Sequence, residues 1–262
     1  MKIAIIGAGA MGGAFAEGLL AANSFFKPAD ITVSNPHTDK LKKFEALGAN
    51  TTTDNRAAVA GADYVAIVVK PWLVQHVVEE IKDVLDYSRQ AVICMAASVK
   101  SEQLKLWLDK DGAQPAALFV VIPNIAVAVR ASMTFIVPAS ATEEQIRQLD
   151  NILRSVGQTC ITDEAHLSAG TALASCGIAY AMRYVRAASE GGVELGFKAD
   201  VARDIVLQTV KGAVDLLQAN GNHPEAEIDK VTTPGGLTIK GLNEMEHAGF
   251  TSAVIRGLKA GM

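Results

Sequence analysis

The chain has 262 residues, of which half are hydrophobic and 20% are charged, and its net charge at pH 7 is only −4. This length and composition support a substantial buried core. They exclude a basic nucleic-acid-binding surface and a disordered acidic tail, and so favour a small molecule as the partner of the chain.

Short β-branched runs alternate with helical segments over the first part of the chain. The predicted strand and helix pairs are 2–6 with 11–22, 31–33 with 39–47, 64–69 with 73–85, and 91–95 with 101–108. Three more strands are predicted at 117–122, 133–137 and 158–161, and a helix at 143–156 begins after Thr142 as its N-cap. This alternation predicts an α/β fold built on a Rossmann-like, doubly wound, mostly parallel sheet.

The strand signal stops near residue 161. Residues 164–195 are rich in Ala, Gly and Leu and contain no proline, which predicts a helix that Gly196 can end. Residues 200–217 predict a second helix that stops at Asn220 and Gly221. One side of this second helix carries Val201, Ile205, Val210, Val214 and Leu217. We therefore predict a dinucleotide-binding Rossmann domain at 1–162 and an all-helical dimerisation and substrate domain at 163–262. The first of these helices, which contains the glycines and alanines of 170–181, is apolar around most of its circumference and must therefore be covered on more than one side. We expect a homodimer or higher homo-oligomer through the C-terminal helices; the alternative is that this helix packs only on its own Rossmann domain.

The three cysteines, Cys94, Cys160 and Cys176, have neither the spacing of a zinc site nor the density of a disulfide framework. The histidines also lack metal-ligand spacing. We therefore expect reduced thiols, no metal and a cytoplasmic protein. The apolar run at the N-terminus is short and is interrupted by glycine, so we expect neither a signal peptide nor a membrane span.

The pattern G-x-G-x-x-G lies directly between the first predicted strand and the first predicted helix. Its residues are Gly7, Ala8, Gly9, Ala10, Met11 and Gly12. Gly7 permits a tight turn, Gly9 lets the backbone approach a pyrophosphate, and Gly12 permits close packing of the helix. Because the N–H groups at the start of the helix would face phosphates, this placement predicts a dinucleotide site.

The end of the second strand indicates which dinucleotide is bound. An acid there would bind the ribose 2′-hydroxyl of NAD and repel the 2′-phosphate of NADP. No acid occurs from Ser34 through Thr38. Ser34 and Asn35 supply a hydroxyl and an amide that can bind the 2′-phosphate of the cofactor, and lysines follow at positions 40, 42 and 43. NADP is therefore the favoured cofactor and NAD the alternative, although these lysines can also be read as a solvated helix face.

A segment near the other end of the chain resembles a family signature. Residues 231–238, V-T-T-P-G-G-L-T, resemble the V-T-S-P-G-G-T-T segment of the pyrroline-5-carboxylate reductase family. Shorter matches extend the resemblance over the whole chain: Asp54-Asn55, Val69-Lys70-Pro71, Met95-Ala96-Ala97, Pro123-Asn124, and Glu164 with Thr171-Ala172-Leu173. The resemblance implies an oxidoreductase of proline biosynthesis, an amino-acid biosynthesis pathway, which transfers hydride from NAD(P)H to the imine of 1-pyrroline-5-carboxylate and gives L-proline.

The resemblance also implies roles for residues. Asn55 would contact the adenosine end of the cofactor, whereas Val69, Lys70, Pro71, Ala96 and Ala97 would line its nicotinamide half. Glu164 and Thr238 would lie on the substrate side, together with Thr233, Gly235, Gly236 and Leu237 of the signature segment.

The signature segment can also be interpreted from its residues. Thr233 before Pro234 suits a helix N-cap with proline at the first helical position. The following N–H groups and the hydroxyls of Thr233 and Thr238 would then hold a carboxylate. The alternative is simply a capped helix that begins at a Pro-Gly turn. Thr238 is the candidate catalytic residue, because its hydroxyl would hydrogen-bond to the imine nitrogen.

Two segments depart from the family pattern. The usual R-V-M-P-N-T-P-A stands as V-V-I-P-N-I-A-V at 120–127, and the usual S-G-S-G-P-A-Y stands as A-S-C-G-I-A-Y at 174–180. These departures keep two alternatives open: a reductase of another cyclic imine or a hydroxyacid, and an inactive nucleotide-binding relative. The region 169–183 lacks the helical lysine that hydroxyacid enzymes generally need, and the retained signature segment argues against the inactive relative.

Overall fold

The computed structural model describes residues 1–110 and 115–262. These residues form two compact units, Met1–Ser175 and Cys176–Met262. The boundary predicted from the sequence lies one helix earlier. Residues 163–175 belong to the first unit, where a Cβ added to Gly170 would lie 2.8 Å from the ring of Phe135.

Within the described part of the first unit, eight strands form a single sheet. They are β1 (Ile3–Ile6), β2 (Ile31–Ser34), β3 (Asn50–Thr52), β4 (Tyr64–Ile67), β5 (Ala91–Cys94), β6 (Ala117–Ile122), β7 (Ser132–Ser140) and β8 (Gly157–Ile161). Their order is β3-β2-β1-β4-β5-β6-β7-β8. The first six strands are parallel, whereas β7 runs antiparallel to β6, and β8 is parallel to β7.

The predicted doubly wound fold is confirmed by this order. The chain moves outward from β1 in one direction through β2 and β3, and then returns to continue from β4 on the other side of β1. In such a sheet the crevice outside the carboxyl ends of the strands, at the point of reversal, is the position for a ligand. Here that point lies between β1 and β4.

The helices of the first unit cover both faces of the sheet. They are α1 (Ala10–Ala22), α2 (Lys42–Ala46), α3 (Asn55–Val59), α4 (Val74–Ile81), α5 (Ser101–Leu108), α6 (Glu143–Arg154) and α7 (Glu164–Gly170). Side chains alternate across a strand, so Ile3 and Ile5 pack with Phe15 on one face, while Ala4 and Ile6 belong to the cluster on the other. The predicted N-cap of α6 is confirmed, because the Thr142 hydroxyl accepts the N–H of Gln145 at 3.3 Å.

The second unit is entirely helical. A π-helical turn, Thr171–Cys176, leads into α8 (Gly177–Glu194), which is followed by α9 (Ala199–Asn220), α10 (Pro224–Lys230), α11 (Leu237–His247) and α12 (Phe250–Ala260). The single helix predicted over 164–195 is therefore divided into α7, the π-helical turn and α8. Gly196, at φ +99°, follows the end of α8, and Gly221, at φ +63°, caps α9, both as the sequence predicts. No helix among the described residues is long and apolar enough to cross a membrane.

Candidate active site

The glycine turn connects β1 with α1 at the reversal point of the sheet. Gly7 has φ +106°, and a Cβ there would lie 2.5 Å from the carbonyl oxygen of Val68. A Cβ on Gly12 would overlap the carbonyl oxygen of Gly7. A Cβ on Gly9, by contrast, would meet nothing within 4 Å. The fold itself therefore requires glycine at positions 7 and 12, whereas Gly9 borders open space where a pyrophosphate would fit.

The start of α1 supplies the donors for such a group. The first bond of the helix runs from the N–H of Gly13 to the carbonyl of Gly9 at 2.7 Å. The N–H groups of Ala10, Met11 and Gly12 come before that bond, and so point out of the end of the helix. A helix start with directed N–H groups favours a phosphate, and the cradle fits the pyrophosphate of a dinucleotide.

Asn35 fixes the turn against the end of β2. Its side chain is buried, its Oδ1 accepts the N–H of Ala8 at 3.1 Å, and its Nδ2 donates to the carbonyl of His37 at 3.2 Å. The amide thus joins the glycine turn to the loop that carries the lysines. In this arrangement Asn35 supports the cofactor site; its own contact with the cofactor stays a prediction.

Ser34 and Asn55 belong to a hydrogen-bonded chain beside this loop. The hydroxyl of Ser34 is fully buried and donates to Oδ1 of Asn55 at 2.7 Å, and Nδ2 of Asn55 donates to Glu80 at 2.8 Å. The structure therefore orients the Asn55 amide from both ends. Sequence reasoning missed Glu80, because a glutamate within an amphipathic helix carries no local signal of a partner on another element.

A cleft of about 330 Å³ opens between the glycine turn and the loop after β2. It is lined by Ala8, Gly9, Ala10, Asp39, Lys40 and Lys43. Two of the predicted lysines thus lie beside the glycine turn. No acid occurs between Ser34 and Thr38, but the next residue, Asp39, also lines the cleft. The lining of the cleft therefore combines one carboxylate with the two lysines.

The segments predicted for the nicotinamide half follow the carboxyl ends of β4 and β5. Val69, Lys70 and Pro71 follow β4, while Ala96 and Ala97 follow β5. Because β4 and β5 are neighbouring parallel strands, these segments share one edge of the sheet. Ala96 is buried and Ala97 is exposed. The next residue, Ser98, has φ +67°, a left-handed backbone conformation that is strained for a residue with a side chain.

A partly buried polar network joins the end of β6 to the π-helical turn. Asn124 accepts the N–H of Ala126 through Oδ1 at 3.0 Å and donates through Nδ2 to the carbonyl of Ala174 at 3.3 Å. Ser175 donates to the carbonyl of Pro123 at 2.9 Å. These bonds connect the two segments that depart from the family pattern, 120–127 and 174–180, and π-helical turns occur often at functional sites. The sequence singled out Pro123 and Asn124, but it gave no sign of their partners.

Glu164 lies at the first position of α7 and contacts the start of α5. One carboxylate oxygen accepts the N–H of Ser101 and the other accepts its hydroxyl, both at 2.8 Å. Glu164 thus supplies the capping acceptors of α5 from another helix. Both of its oxygens are engaged in this way, and the substrate contact assigned to it stays a prediction.

The signature segment of the second unit forms a turn before α11. The N–H of Gly236 donates to the carbonyl of Thr233 at 2.9 Å, and Gly235 has φ +72°, as a type II turn with Pro234 and Gly235 at its centre requires. The N-cap of α11 is Gly236, so the prediction of Thr233 as the N-cap is wrong. A proline followed by a left-handed glycine closes a β-turn instead of starting a helix.

The side chains of this segment remain accessible. Leu237 is 87% exposed, and Thr233, Gly235 and Thr238 are also exposed, while Gly236 is partly buried. The helix begins at Leu237, so the N–H groups of its first turn have no acceptor within the helix. The region can therefore hold an anion, with the donors shifted toward Leu237 and Thr238 relative to the prediction.

The described residues indicate no metal site, and they place one of the three thiols, that of Cys94, in the core. No group of three His, Cys, Asp or Glu side chains among residues 1–110 and 115–262 has the arrangement of a metal site. Cys94 is buried at the end of β5, and burial raises the pKa of its thiol to about 11, which keeps it protonated at neutral pH.

The fold and the glycine turn define a class, that of Rossmann-type dinucleotide-binding proteins with an added helical unit. Comparison with known proteins narrows it. Residues 164–262 match the family model described as "Pyrroline-5-carboxylate reductase dimerisation", and residues 2–98 match the model described as "NADP oxidoreductase coenzyme F420-dependent".

Relatives match over nearly the whole chain. Pyrroline-5-carboxylate reductase 2 of Dictyostelium discoideum is 35% identical over 98% of this chain and 89% of its own length. Pyrroline-5-carboxylate reductase 1 of the same organism is also 35% identical over 98% of this chain, which spans about half, 48%, of that relative. The chain belongs to the pyrroline-5-carboxylate reductase family. The crystal structure of the Plasmodium falciparum pyrroline carboxylate reductase with NADP bound shares the fold, with a TM-score of 0.89, 22% identity, and coverage of 100% of this chain and 95% of that one.

Proposed function

We propose that this protein reduces the C=N bond of 1-pyrroline-5-carboxylate with NADPH and a proton, giving L-proline and NADP⁺. The observation that carries the proposal is similarity to a pyrroline-5-carboxylate reductase over nearly the full length of both chains. The glycine cradle at the reversal point of the sheet gives independent support for a dinucleotide. The NADP of the matched family model and the NADP-bound structural neighbour support that choice of cofactor over NAD.

Bound NADPH supplies the hydride that reduces the imine carbon. The protein's own task is to bind, orient and keep water out, since a protonated imine is already a strong electrophile. The N–H groups of Ala10, Met11 and Gly12 would hold the pyrophosphate. The segments after β4 and β5 form the surface against which the reacting ring is oriented.

The turn before α11 is proposed to hold the substrate carboxylate. The N–H groups at the start of α11 and the positive end of its dipole favour an anion. The hydroxyl of Thr238 lies one residue into the helix and is proposed to hydrogen-bond to the ring nitrogen that carries the proton. No metal and no covalent nucleophile take part in this scheme.

We further propose that the second unit pairs with a second copy of the chain. Among residues 176–262 only Ala202 is buried, although the unit carries many large apolar side chains. Val201, Ile205 and Val214, predicted to share one face of α9, are each more than 40% exposed. A helical unit without a core of its own requires cover from outside. Sedimentation that shows a monomer at micromolar concentration would contradict this pairing.

A cytoplasmic location is proposed as well. It is supported by the three free thiols, Cys94, Cys160 and Cys176, because free cysteines are usual where the compartment is reducing.

The reaction is tested by following NADPH oxidation with 1-pyrroline-5-carboxylate. The same assay is run with six-membered and unsubstituted cyclic imines, and with the carbonyl compound whose reduction would give a β-hydroxyacid. We expect the highest kcat/KM with the five-membered imino acid. Tight NADPH binding without turnover of that substrate would overturn the proposal in favour of one of the alternatives.

The role of Thr238 is tested separately. Thr238→Ala should lower kcat/KM for the imine at least about tenfold and leave NADPH affinity unchanged, because one transition-state hydrogen bond is lost. Thr238→Ser keeps the hydroxyl and should restore most of the rate. If Thr238→Ala weakens NADPH binding instead, the residue belongs to the cofactor site.

A further inference from the structure

A glutamate outside every motif pairs with a lysine of the cofactor cleft, the cleft between the glycine turn and the loop after β2. Glu17 lies on α1, and its Oε1 is 2.5 Å from Nζ of Lys43. Lys43 itself lines the cleft beside Gly9 and Ala10. The ion pair therefore joins α1, whose first N–H groups are proposed to hold the pyrophosphate, to α2, which follows the loop at the end of β2.

The ammonium group of Lys43 lies over the first turn of α1. Its Nζ is 3.3 Å from the position that a Cβ on Gly13 would take, and 4.7 Å from the centre of the Phe44 ring. A cation at the start of a helix is opposed by the helix dipole. Glu17, one turn further along, offsets that repulsion when no other anion is present.

The charges around the cleft are balanced. Lys40 and Lys43 are matched in number by Asp39, which lines the cleft, and by Glu17, which pairs with Lys43. A phosphate that enters must therefore compete with Glu17 for Lys43 and approach Asp39. The side chains of Lys43 and Glu17 are 51% and 37% exposed, so both can change partners without unpacking the core.

We propose that Glu17 is a specificity-determining residue that weakens the preference for the 2′-phosphorylated cofactor by holding Lys43. When NADPH binds, Lys43 exchanges the carboxylate of Glu17 for the 2′-phosphate. NADH has no such phosphate, so Lys43 keeps its partner. This inference rests on the proposed function in one respect: it assumes that the cleft binds the adenosine half of the cofactor.

The test is a fluorescence titration of the full chain with NADPH and with NADH, in the absence of any imine. Glu17→Gln should lower the Kd for NADPH about two- to fivefold, the range expected for release of one exposed ion pair, and leave the Kd for NADH unchanged. Lys43→Gln should raise the Kd for NADPH about tenfold, since a charge-assisted contact with phosphate is lost. In the Lys43→Gln background, Glu17→Gln should have no further effect.

Two matched substitutions control for charge alone. Lys42→Gln removes the same charge from the preceding position of α2. Lys42 was grouped with the other lysines by sequence, but it does not line the cleft. Glu45→Gln removes a nearby carboxylate that accepts the hydroxyl of Thr51 at 2.6 Å instead. Both should leave the ratio of the two dissociation constants close to that of the unmodified protein, and thermal unfolding of each variant confirms that it is folded.

Three results would overturn the inference. The first is an equal change of the Kd for NADPH and for NADH in Lys43→Gln, which would assign Lys43 to the pyrophosphate. The second is an effect of Glu17→Gln on the Kd for NADPH that persists in the Lys43→Gln background. The third is a ratio of the two dissociation constants that Glu17→Gln leaves unchanged. Because the titration contains no imine, a protein that binds NADPH but fails to reduce 1-pyrroline-5-carboxylate would refute the proposed reaction and leave this test intact.

Discussion

Two alanine substitutions in the glycine turn should separate folding from cofactor binding. In Gly12→Ala the new methyl group would overlap the carbonyl oxygen of Gly7 and lie 3.3 Å from Cβ of Val68. Neither neighbour is the end of a flexible side chain, so the backbone must shift. Overpacking of this kind costs about 1–3 kcal/mol.

Gly9→Ala should have the opposite profile. Gly9 has φ −74° and ψ −168°, which any residue adopts, and the methyl group would meet nothing within 4 Å. We expect a change in stability within about 0.5 kcal/mol. The methyl group would, however, project into the space proposed for the pyrophosphate, so the Kd for NADPH should rise at least about tenfold, a cost typical of a strained or lost charge-assisted contact.

Thermal unfolding of the cofactor-free protein and fluorescence titration with NADPH measure the two effects. The unfolding temperature should fall in Gly12→Ala by about 2–4 °C for each kcal/mol lost, and stay constant in Gly9→Ala. Gly212→Ala on α9, where a methyl group also meets nothing within 4 Å, should leave NADPH affinity unchanged. Unaltered NADPH binding by Gly9→Ala, or destabilisation as large as that of Gly12→Ala, would refute the assignment of the cradle.

Three further predictions concern stability and pH. Ser98→Gly should raise the unfolding temperature, because glycine relieves the left-handed strain at φ +67°, which costs about 1–2 kcal/mol. The freer unfolded chain of the glycine variant offsets about 0.4–1 kcal/mol of that gain. A lower unfolding temperature would argue against strain at this position. Asn124→Ala should lower the free energy of unfolding by about 1–3 kcal/mol and reduce turnover, because the carbonyl of Ala174 loses its donor. Asn151→Ala on the exposed face of α6 serves as the control. Equal stability of the two variants would count against the network. Burial raises the pKa of Cys94 from 9.0 to about 11, so the folded protein should lose stability as the pH rises from about 9 to about 11. In unfolding titrations, Cys94→Ala should lack this part of the loss. Identical pH profiles of the two proteins would contradict this prediction.

The regular elements were predicted closely because their signals are local. The limits of α5 and β6 agree with the prediction to the residue, and Thr142 caps α6 as expected. Strand, turn and helix follow from β-branching, glycine and side-chain periodicity over a few residues. The short helix α10 was missed, and the π-helical turn within the predicted helix at 164–195 carries no periodic signal that separates it from an ordinary α-helix.

The site was predicted less completely because its partners are distant in sequence. Glu80 reaches Asn55 across 25 positions, and Glu164 reaches Ser101 across 63. Neither glutamate differs in local pattern from a solvated helix residue. Thr233 was misplaced for a different reason, since a Thr-Pro-Gly-Gly segment suits both a capped helix and a type II turn.

The sequence by itself determined the doubly wound sheet, the glycine cradle between β1 and α1, and membership of a reductase family, because each depends on residues that are close together or on a long pattern of matches. Tertiary structure alone decided that β7 runs antiparallel to β6 and that Asn35 fixes the glycine turn. It also decided that Asp39 lines the cofactor cleft and that Glu17 pairs with Lys43. Those features depend on which distant segments pack together, and packing is settled by burial over the whole chain, which no short window of residues contains.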